Sequence, residues 1–461
     1  MNTIEDKPVV GKLKGRTIFM YTCAAVGFNM LWTAQSSFIT YYFTQSVGIS
    51  AAVGGIIALA ARLWDAVNDP LMGTLADRTR TKYGRYRPYL LWGILPLVAA
   101  SVLMFTSPAG APTGTRIAYA AATYVFFGMA YTFINIPYMT MQSTLTTDPD
   151  ERTKLINLKN IGVMIGVATG SILTPVLTAS MGDRGYVVAM SVYSSVMAFG
   201  CILAFIATKP YIANEMPPES GEQTTQQIPF SKRLGVIAKN GPLLIVMLVF
   251  ILSTTTQTMA GQVGLYYTEY YLGRPDLIPT MNMLAMASMI IVPILVGVLS
   301  KKLEKRNFMM IGFGFTAVVC FVQYFVPPTG ITAVMVLALL KGLSGGIAAV
   351  FIFSMVADCV DYGTWKTGEK LGGLVFSTAT FAQKSGAALG AAIIGGILTA
   401  FGFVSGGGAQ SAETIQSIRF LNTILPGAAF LVIILVLWRY PLTKAKMREI
   451  GEELQSRASK E

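Results

Sequence analysis

Long apolar runs alternate with short polar segments along almost the whole chain, and this pattern predicts a bundle of membrane-spanning helices. A helix needs about 20 mostly apolar residues to cross a bilayer. The longest runs exceed that length, so they must tilt, kink or project beyond the membrane. Twelve spans are predicted, at residues 17–43, 50–75, 89–107, 116–143, 155–181, 186–208, 241–265, 278–300, 307–326, 331–357, 371–402 and 418–439.

Composition supports the membrane class and argues against an enzyme. Of 461 residues, 53% are hydrophobic and 13% are charged, and the mean hydropathy is +0.56. Histidine is absent, which excludes Ser-His-Asp triads and most zinc sites. The four cysteines lie in or at the ends of apolar runs without paired spacing, which indicates packing residues. Because no nucleophile–base pair or metal motif is evident, we expect no enzymatic activity.

Basic residues gather in alternate loops, and their distribution predicts the orientation of the chain. The net charge of +12 would suit a nucleic-acid partner, but clustering between apolar runs argues against one. Basic clusters follow spans two and eight and occupy the C-terminal tail, as in Arg78, Arg80, Lys82, Arg85, Arg87, Lys301, Lys302, Lys305, Arg306, Lys444, Lys446 and Arg448. The positive-inside rule then places both termini in the cytoplasm.

One long polar connector, rich in Pro, Ser, Thr and Gln, divides the spans into six plus six. We therefore expect a six-helix bundle at 1–208, the connector at 209–240, a second six-helix bundle at 241–439 and a cytoplasmic tail at 440–461. The corresponding basic loops of the two halves suggest weak internal symmetry around a midplane cavity. Any twelve-span protein alternates its loop charges, so this symmetry alone is weak support.

Span two carries the most informative residues of the chain. Arg62, Asp65 and Asp69 are spaced i, i+3 and i+7, so they share one helical face. A charge at membrane depth costs at least ~2.5 kcal/mol, and such charges usually mark an ion or substrate path. The alternative is a buried ion-pair network that only holds helices together. Two acids against one base leave surplus negative charge, which favours a functional site.

Aromatic and amide side chains in the other spans suggest a sugar site. Asn29 and Trp32 lie in span one, Tyr131 and Asn135 lie in span four, and Trp64 lies beside the charges of span two. Aromatic rings stack on the apolar faces of sugars, while amides and acids bind hydroxyl groups. Hydrogen bonding between helices is an equally good explanation for any one of the polar residues.

Two lysines lie within the second half of the spans. Lys384 in span eleven is a candidate partner for Asp65 or Asp69. Lys341 in span ten has no acid nearby in its own span, which makes it the better candidate for a substrate anion. The alternative for Lys341 is snorkelling or an ion pair that the sequence does not reveal.

Several motifs together resemble a known family. The chain resembles the glycoside-pentoside-hexuronide:cation symporters, a branch of the major facilitator superfamily that includes the melibiose and glucuronide carriers. The motifs lie at residues 62–73, 77–88, 135–138, 150–153 and 355–363, with Lys384 downstream. The resemblance implies an all-α, twelve-helix major facilitator fold and a secondary transporter in the bacterial cytoplasmic (inner) membrane. It also implies import of a glycoside or hexuronide together with Na⁺ or H⁺.

The family places its coupling cation between helices two and four, and the matching positions follow from the motifs. The resemblance implies Asp65 and Asp69 as the carboxylates of this metal-ion or proton site, Asn68 and Thr132 as neutral oxygen donors, and Arg62 and Lys384 as basic partners when the cation leaves. The intact acidic motif slightly favours Na⁺ over H⁺. No other cofactor is expected.

The chain departs from the melibiose branch at two sugar-binding positions. Asn29 and Asn135 stand where that branch has acids, as in the glucuronide carriers, and Lys341 adds positive charge. These differences favour a glucuronide or β-glycoside as substrate. A proton-coupled or lysolipid carrier of the same fold and a non-transporting sugar sensor are the alternatives. We expect a small sugar or sugar acid and the lipid bilayer as partners, no nucleic acid, and a functional monomer.

Overall fold

The helices of the first half follow the apolar runs closely. The computed structural model describes residues 13–108, 110–146, 149–212, 240–299, 304–368 and 372–458. Within these ranges the chain is helical and contains no β-strand. The helices before the connector are α1 (Gly15–Gln45), α2 (Ala51–Arg78), α3 (Arg87–Trp92), α4 (Ile94–Met104), α5 (Thr113–Thr144), α6 (Pro149–Met181) and α7 (Arg184–Ala207).

The second half repeats this arrangement. Its helices are α8 (Gly241–Tyr266), which continues in a π-helical turn (Tyr267–Tyr271), α9 (Ile278–Leu299), α10 (Lys305–Tyr324), α11 (Ile331–Thr367), α12 (Gly372–Ala400), α13 (Ala412–Asn422), α14 (Ile424–Trp438) and α15 (Lys444–Ala458). Among the described residues, eleven helical stretches are long and apolar enough to cross a membrane. With α9, which covers the predicted eighth span, each of the twelve predicted spans has a helical counterpart.

Three elements differ from the predicted spans. Span three is divided at Gly93 into α3 and α4, and span twelve is divided at Thr423 into α13 and α14. Helix α11 continues to Thr367, beyond the predicted end at 357. The added turns are polar, and they are held by an ion pair of 2.8 Å between Lys305 Nζ at the start of α10 and Asp358 Oδ2 on α11.

The chain divides into two compact units, Met1–Gln223 with Ser405–Gly408 and Thr224–Val404 with Ala409–Glu461. Most of the predicted connector, residues 213–239, lies outside the described residues, so the exact domain division stays a prediction. The predicted tail contains α15, which buries Ile450 in the hydrophobic core of the second unit.

The two units use the same order of helix packing. In the first unit α1 packs against α6 and α2 packs against α5, while in the second unit α8 packs against α12 and α9 packs against α11. Each unit therefore pairs its first span with its fifth and its second with its fourth. This correspondence is the internal repeat that the loop charges suggested.

Glycine allows the backbones of α1 and α7 to approach closely. A Cβ atom at Gly27 of α1 would lie 2.3 Å from the Cα atom of Met197 on α7. The second unit has a similar approach, because a Cβ atom at Gly386 of α12 would lie 2.4 Å from the carbonyl oxygen of Ile251 on α8. Small residues are the usual means by which membrane helices reach such distances.

We expect Gly27→Ala to lower the free energy of unfolding by about 1–3 kcal/mol, because the added methyl group forces two packed backbones apart. Thermal unfolding of the purified protein in detergent would measure this loss. The matched control is Gly396→Ala in α12, where no heavy atom lies within 4 Å of the added Cβ atom. Equal stability of the two variants would contradict the close packing of α1 and α7.

Candidate functional site

Helix α2 places a buried but loosely bonded ion pair inside the first unit. Arg62 and Asp65 are 8% and 6% exposed. Arg62 Nη1 lies 3.5 Å from Asp65 Oδ2, and Arg62 Nη2 donates to Gln35 Oε1 of α1 at 3.4 Å. Hydrogen bonds between an ionised donor and a carboxylate are usually about 2.7–2.9 Å long. Both contacts of Arg62 are longer than this, and the hydroxyl of Tyr124 also hydrogen-bonds the guanidinium.

A second contact joins α2 to α5, the pair of helices expected to hold the coupling cation. Thr132 Oγ1 donates to Asp69 Oδ1 at 3.0 Å, and Thr132 is 6% exposed. The Nδ2 atom of the neighbouring Asn68 is buried without a hydrogen-bond partner among the described residues. An unpaired buried amide N–H costs about 1–3 kcal/mol. This group is a donor, so only the side-chain oxygen of Asn68 could bind a cation. Carboxylate, hydroxyl and amide oxygens are donors that suit a hard cation.

Two further residues of this region were missed as site residues. A Cβ atom at Gly128 of α5 would lie 3.1 Å from Asp65 Oδ1, so glycine makes room for the carboxylate. Gly128 precedes Thr132 by four residues, and that spacing places both on one face of α5. Gln35 accepts a hydrogen bond from Arg62. It follows Trp32 by three residues, so both lie on one face of α1. Helical spacing from the predicted residues was therefore the available signal for both.

The predicted aromatic residues of α1 and α5 meet beside the ion pair. The guanidinium carbon of Arg62 lies 4.4 Å from the centroid of the Trp32 ring. The Trp32 and Tyr131 rings lie 5.3 Å apart with an interplanar angle of 36°. Residues from α1, α2 and α5 thus form one cluster in which an aromatic surface adjoins a buried charge. Trp64 is 43% exposed.

The two predicted sugar-binding amides hydrogen-bond within their own helices. Asn29 Nδ2 donates to the carbonyl oxygen of Ala25 at 2.9 Å. Asn135 Nδ2 lies 3.9 Å from the sulfur of Met139. Both contacts use the amide nitrogen, so each side-chain oxygen can still accept a hydrogen bond from a ligand. Sugar binding by these residues stays a prediction.

Lys341 has a partner that sequence reasoning did not anticipate. Its Nζ atom donates at 2.7 Å to the carbonyl oxygen of Asn422, the last residue of α13. The helical donor for this oxygen would be the backbone nitrogen of residue 426, but Pro426 has no N–H. The ammonium group therefore satisfies an orphaned carbonyl at the negative end of a helix. This contact favours a structural role for Lys341.

Lys384 lies on α12 of the second unit and is partly buried. Its pairing with Asp65 or Asp69 stays a prediction. The described residues contain no cluster of three or more His, Cys, Asp or Glu side chains able to hold a metal ion. The α2 site has two carboxylates, so its other ligands would have to be neutral oxygens.

Comparisons with known proteins identify the family. The family described as MFS/sugar transport protein matches residues 20–444. A putative glycoside/cation symporter of Escherichia coli (YagG) is 29% identical over 93% of this chain and 92% of its own length. An isoprimeverose transporter of Lactiplantibacillus pentosus is 28% identical over 95% and 91%, and a glucuronide carrier protein homolog of E. coli is 26% identical over 97% and 96%.

Solved structures support the same fold. A bacterial homolog of the human lysosomal transporter Spinster aligns with a TM-score of 0.68 over 93% of this chain and 98% of its own, at 10% identity. The fold and these relatives define a multi-pass membrane transporter, which confirms that the chain is not an enzyme. The chain belongs to the MFS/sugar transport family, within which it is a member of the glycoside-pentoside-hexuronide:cation symporters.

We expect Gly128→Ala to weaken cation activation of sugar transport by roughly tenfold, about 1.4 kcal/mol. The added methyl group would press on Asp65 Oδ1 and displace the carboxylate from its ligand position. The measurement is the cation concentration that half-activates uptake, at equal amounts of protein in the membrane. Gly114→Ala is the control on the same helix, because nothing lies within 4 Å of its added Cβ atom. Unchanged activation in Gly128→Ala would contradict a cation at Asp65.

We expect Lys341→Met to lower the free energy of unfolding by about 1–3 kcal/mol, because it leaves the Asn422 carbonyl without a donor. Adding Pro426→Ala to this variant should restore most of the loss, since residue 426 would then supply a helical N–H. Thermal unfolding in detergent measures both effects. A structural role also predicts similar transport losses for anionic and neutral sugars, whereas a selective loss of the anionic sugar would support the substrate role.

Proposed function

We propose that the protein imports a glycoside or hexuronide across the bacterial cytoplasmic membrane by symport with Na⁺ or H⁺, as a monomer with both termini in the cytoplasm. The observation that carries this proposal is the arrangement on α2. Asp65 faces a loosely bonded Arg62, while Asp69 accepts from Thr132 on α5. These two carboxylates would supply the negative charge that binds a monovalent cation.

Binding of the cation changes the contacts of the neighbouring residues. The cation would be bound by Asp65 and Asp69, with Asn68 and Thr132 as neutral donors. It would compete with Arg62 for Asp65, so the guanidinium would lose this partner and keep its contact with Trp32. Any change that the cation makes in sugar affinity must be matched by an equal change that the sugar makes in cation affinity. Alternating access then carries both ligands inward, as in other transporters built from repeats.

The number of neutral oxygen donors supports a preference between Na⁺ and H⁺. A proton needs only one of the two carboxylates, and two acids sharing a site readily share a proton. The hydroxyl of Thr132 hydrogen-bonds Asp69. Asn68 directly precedes Asp69 in the sequence, and its Nδ2 atom is buried. These neutral groups are useful to a metal ion and dispensable for a proton. We therefore favour Na⁺, with H⁺ as the close alternative.

The proposed substrate class rests on Asn29 and Asn135 and on the relatives. Asn29 and Asn135 bring hydrogen-bonding capacity without negative charge, which tolerates an acidic sugar. A relative named as a glucuronide carrier homolog and another named as an isoprimeverose transporter support a uronide or a glycoside as the substrate class.

Uptake into energised membrane vesicles tests the proposal. The panel is a β-glucuronide, a β-xyloside, a β-glucoside and melibiose, each offered with a Na⁺ gradient alone and with a proton gradient alone. Accumulation of one sugar under one gradient is the expected result and identifies the cation. Absence of uptake for every sugar under both gradients would contradict symport of these sugars.

We expect Asp65→Asn and Asp69→Asn each to abolish accumulation above the external concentration, while the protein remains in the membrane at its normal level. Each variant removes the negative charge that attracts the coupling cation. Asp276→Asn is the matched control, because this carboxylate is exposed and pairs with Arg274 in a loop. Full cation-driven accumulation in either α2 variant would show that the cation binds elsewhere.

A further inference from the structure

We infer that Trp32 is a positioning residue that keeps the Arg62 guanidinium ready to bind an anionic sugar once the coupling cation occupies Asp65. This inference rests on the proposed symport and names the charge of its substrate. In the first unit the guanidinium contacts a carboxylate at 3.5 Å, an amide oxygen at 3.4 Å and the face of Trp32 at 4.4 Å, and the hydroxyl of Tyr124 also hydrogen-bonds it. They respond differently to the arrival of a cation.

The ion pair with Asp65 weakens when a cation binds that carboxylate, since the charge is then shared and the two cations repel each other. The attraction between a guanidinium and an indole face comes from the ring quadrupole, so it does not depend on the charge of Asp65. Gln35 is neutral and also keeps its contact. Arg62 therefore stays beside Trp32 after its acidic partner is taken, with donors released from the ion pair.

The indole ring is itself held in place from α5. The ring centroids of Tyr131 and Trp32 lie 5.3 Å apart. Phe127 stacks on Tyr131 with a centroid distance of 5.9 Å and an interplanar angle of 27°. Phe28 meets the same tyrosine ring edge-on at 5.9 Å. A ring supported by this packing has few alternative rotamers, which suits a residue that must hold a charged group in one place.

The pairing of Arg62 points to an anionic sugar. Without the coupling cation, the charge of the guanidinium is offset by Asp65, its ion-pair partner. With the cation bound to Asp65, the guanidinium has donors in the fork geometry that binds a carboxylate or sulfonate in a bidentate manner. Lys341, the other candidate for this role, already donates to the Asn422 carbonyl. An anionic sugar would thus depend on the cation more strongly than a neutral one.

Equilibrium binding to the purified protein tests this inference. Calorimetry would compare 4-nitrophenyl β-glucuronide with 4-nitrophenyl β-glucoside, each with and without the cation that drives uptake. We expect Trp32→Leu to weaken glucuronide binding in the presence of the cation about tenfold, and glucoside binding less than about twofold. Trp32→Phe keeps a weaker aromatic face and should lie between. Trp438→Leu, at a position that is 70% exposed, is the matched control.

The outcomes separate this inference from the proposed function. Equal losses for both sugars in Trp32→Leu and Trp32→Phe would overturn it, because Trp32 would then be a stacking surface for the sugar ring. Wild-type protein that binds the glucoside but not the glucuronide would overturn it while leaving glycoside symport intact. Wild-type protein that binds neither sugar would overturn this inference, and uptake of the β-xyloside or melibiose would then decide whether the proposed function stands. Selective loss of the glucuronide, with a smaller effect of the cation on its affinity, would support it.

Discussion

Helix ends satisfy several of the buried and half-buried basic side chains among the described residues, and the packing of the helices depends on these contacts. The last carbonyl groups of a helix lack intrahelical donors and carry partial negative charge. Basic side chains donate to carbonyls at or just beyond helix C-termini in five places: Arg87 to Phe205, Arg116 to Val47, Arg306 to Tyr440, Lys341 to Asn422 and Arg419 to Tyr324. Such contacts suit a chain with 35 Lys and Arg residues against 23 Asp and Glu residues.

Helix α2 balances its buried charges in another way. Arg62 contacts an acid, an amide and an aromatic ring, and its polar contacts are long. Asp69 accepts from a neutral hydroxyl group on α5. In the proposed mechanism a monovalent cation separates this pair, whereas the basic side chains bound to helix-end carbonyls keep their partners. The two kinds of contact would then let a stable bundle contain a site whose charge changes during transport.

Sequence reasoning predicted the features that depend on periodicity and burial. The twelve spans, the shared face of Arg62 and Asp65, and the link from α2 to Thr132 each follow from helical spacing or from family motifs. It did not predict the partner of Lys341, because Asn422 is 81 positions away and a backbone carbonyl leaves no side-chain signature. Sequence reasoning also did not identify Gly128, because the role of this residue is to leave space for the Asp65 carboxylate.

The pairing of Lys341 with a carbonyl orphaned by Pro426 has an evolutionary consequence. Any exchange of Pro426 that restores a backbone N–H would let Asn422 complete its helix and would release the ammonium group. A lysine without a partner at membrane depth is costly, so descendants of such a variant would be selected either to lose the charge or to use it on an anion. Substitution of one residue, Pro426, would thereby allow related carriers to diverge in the sugars they accept.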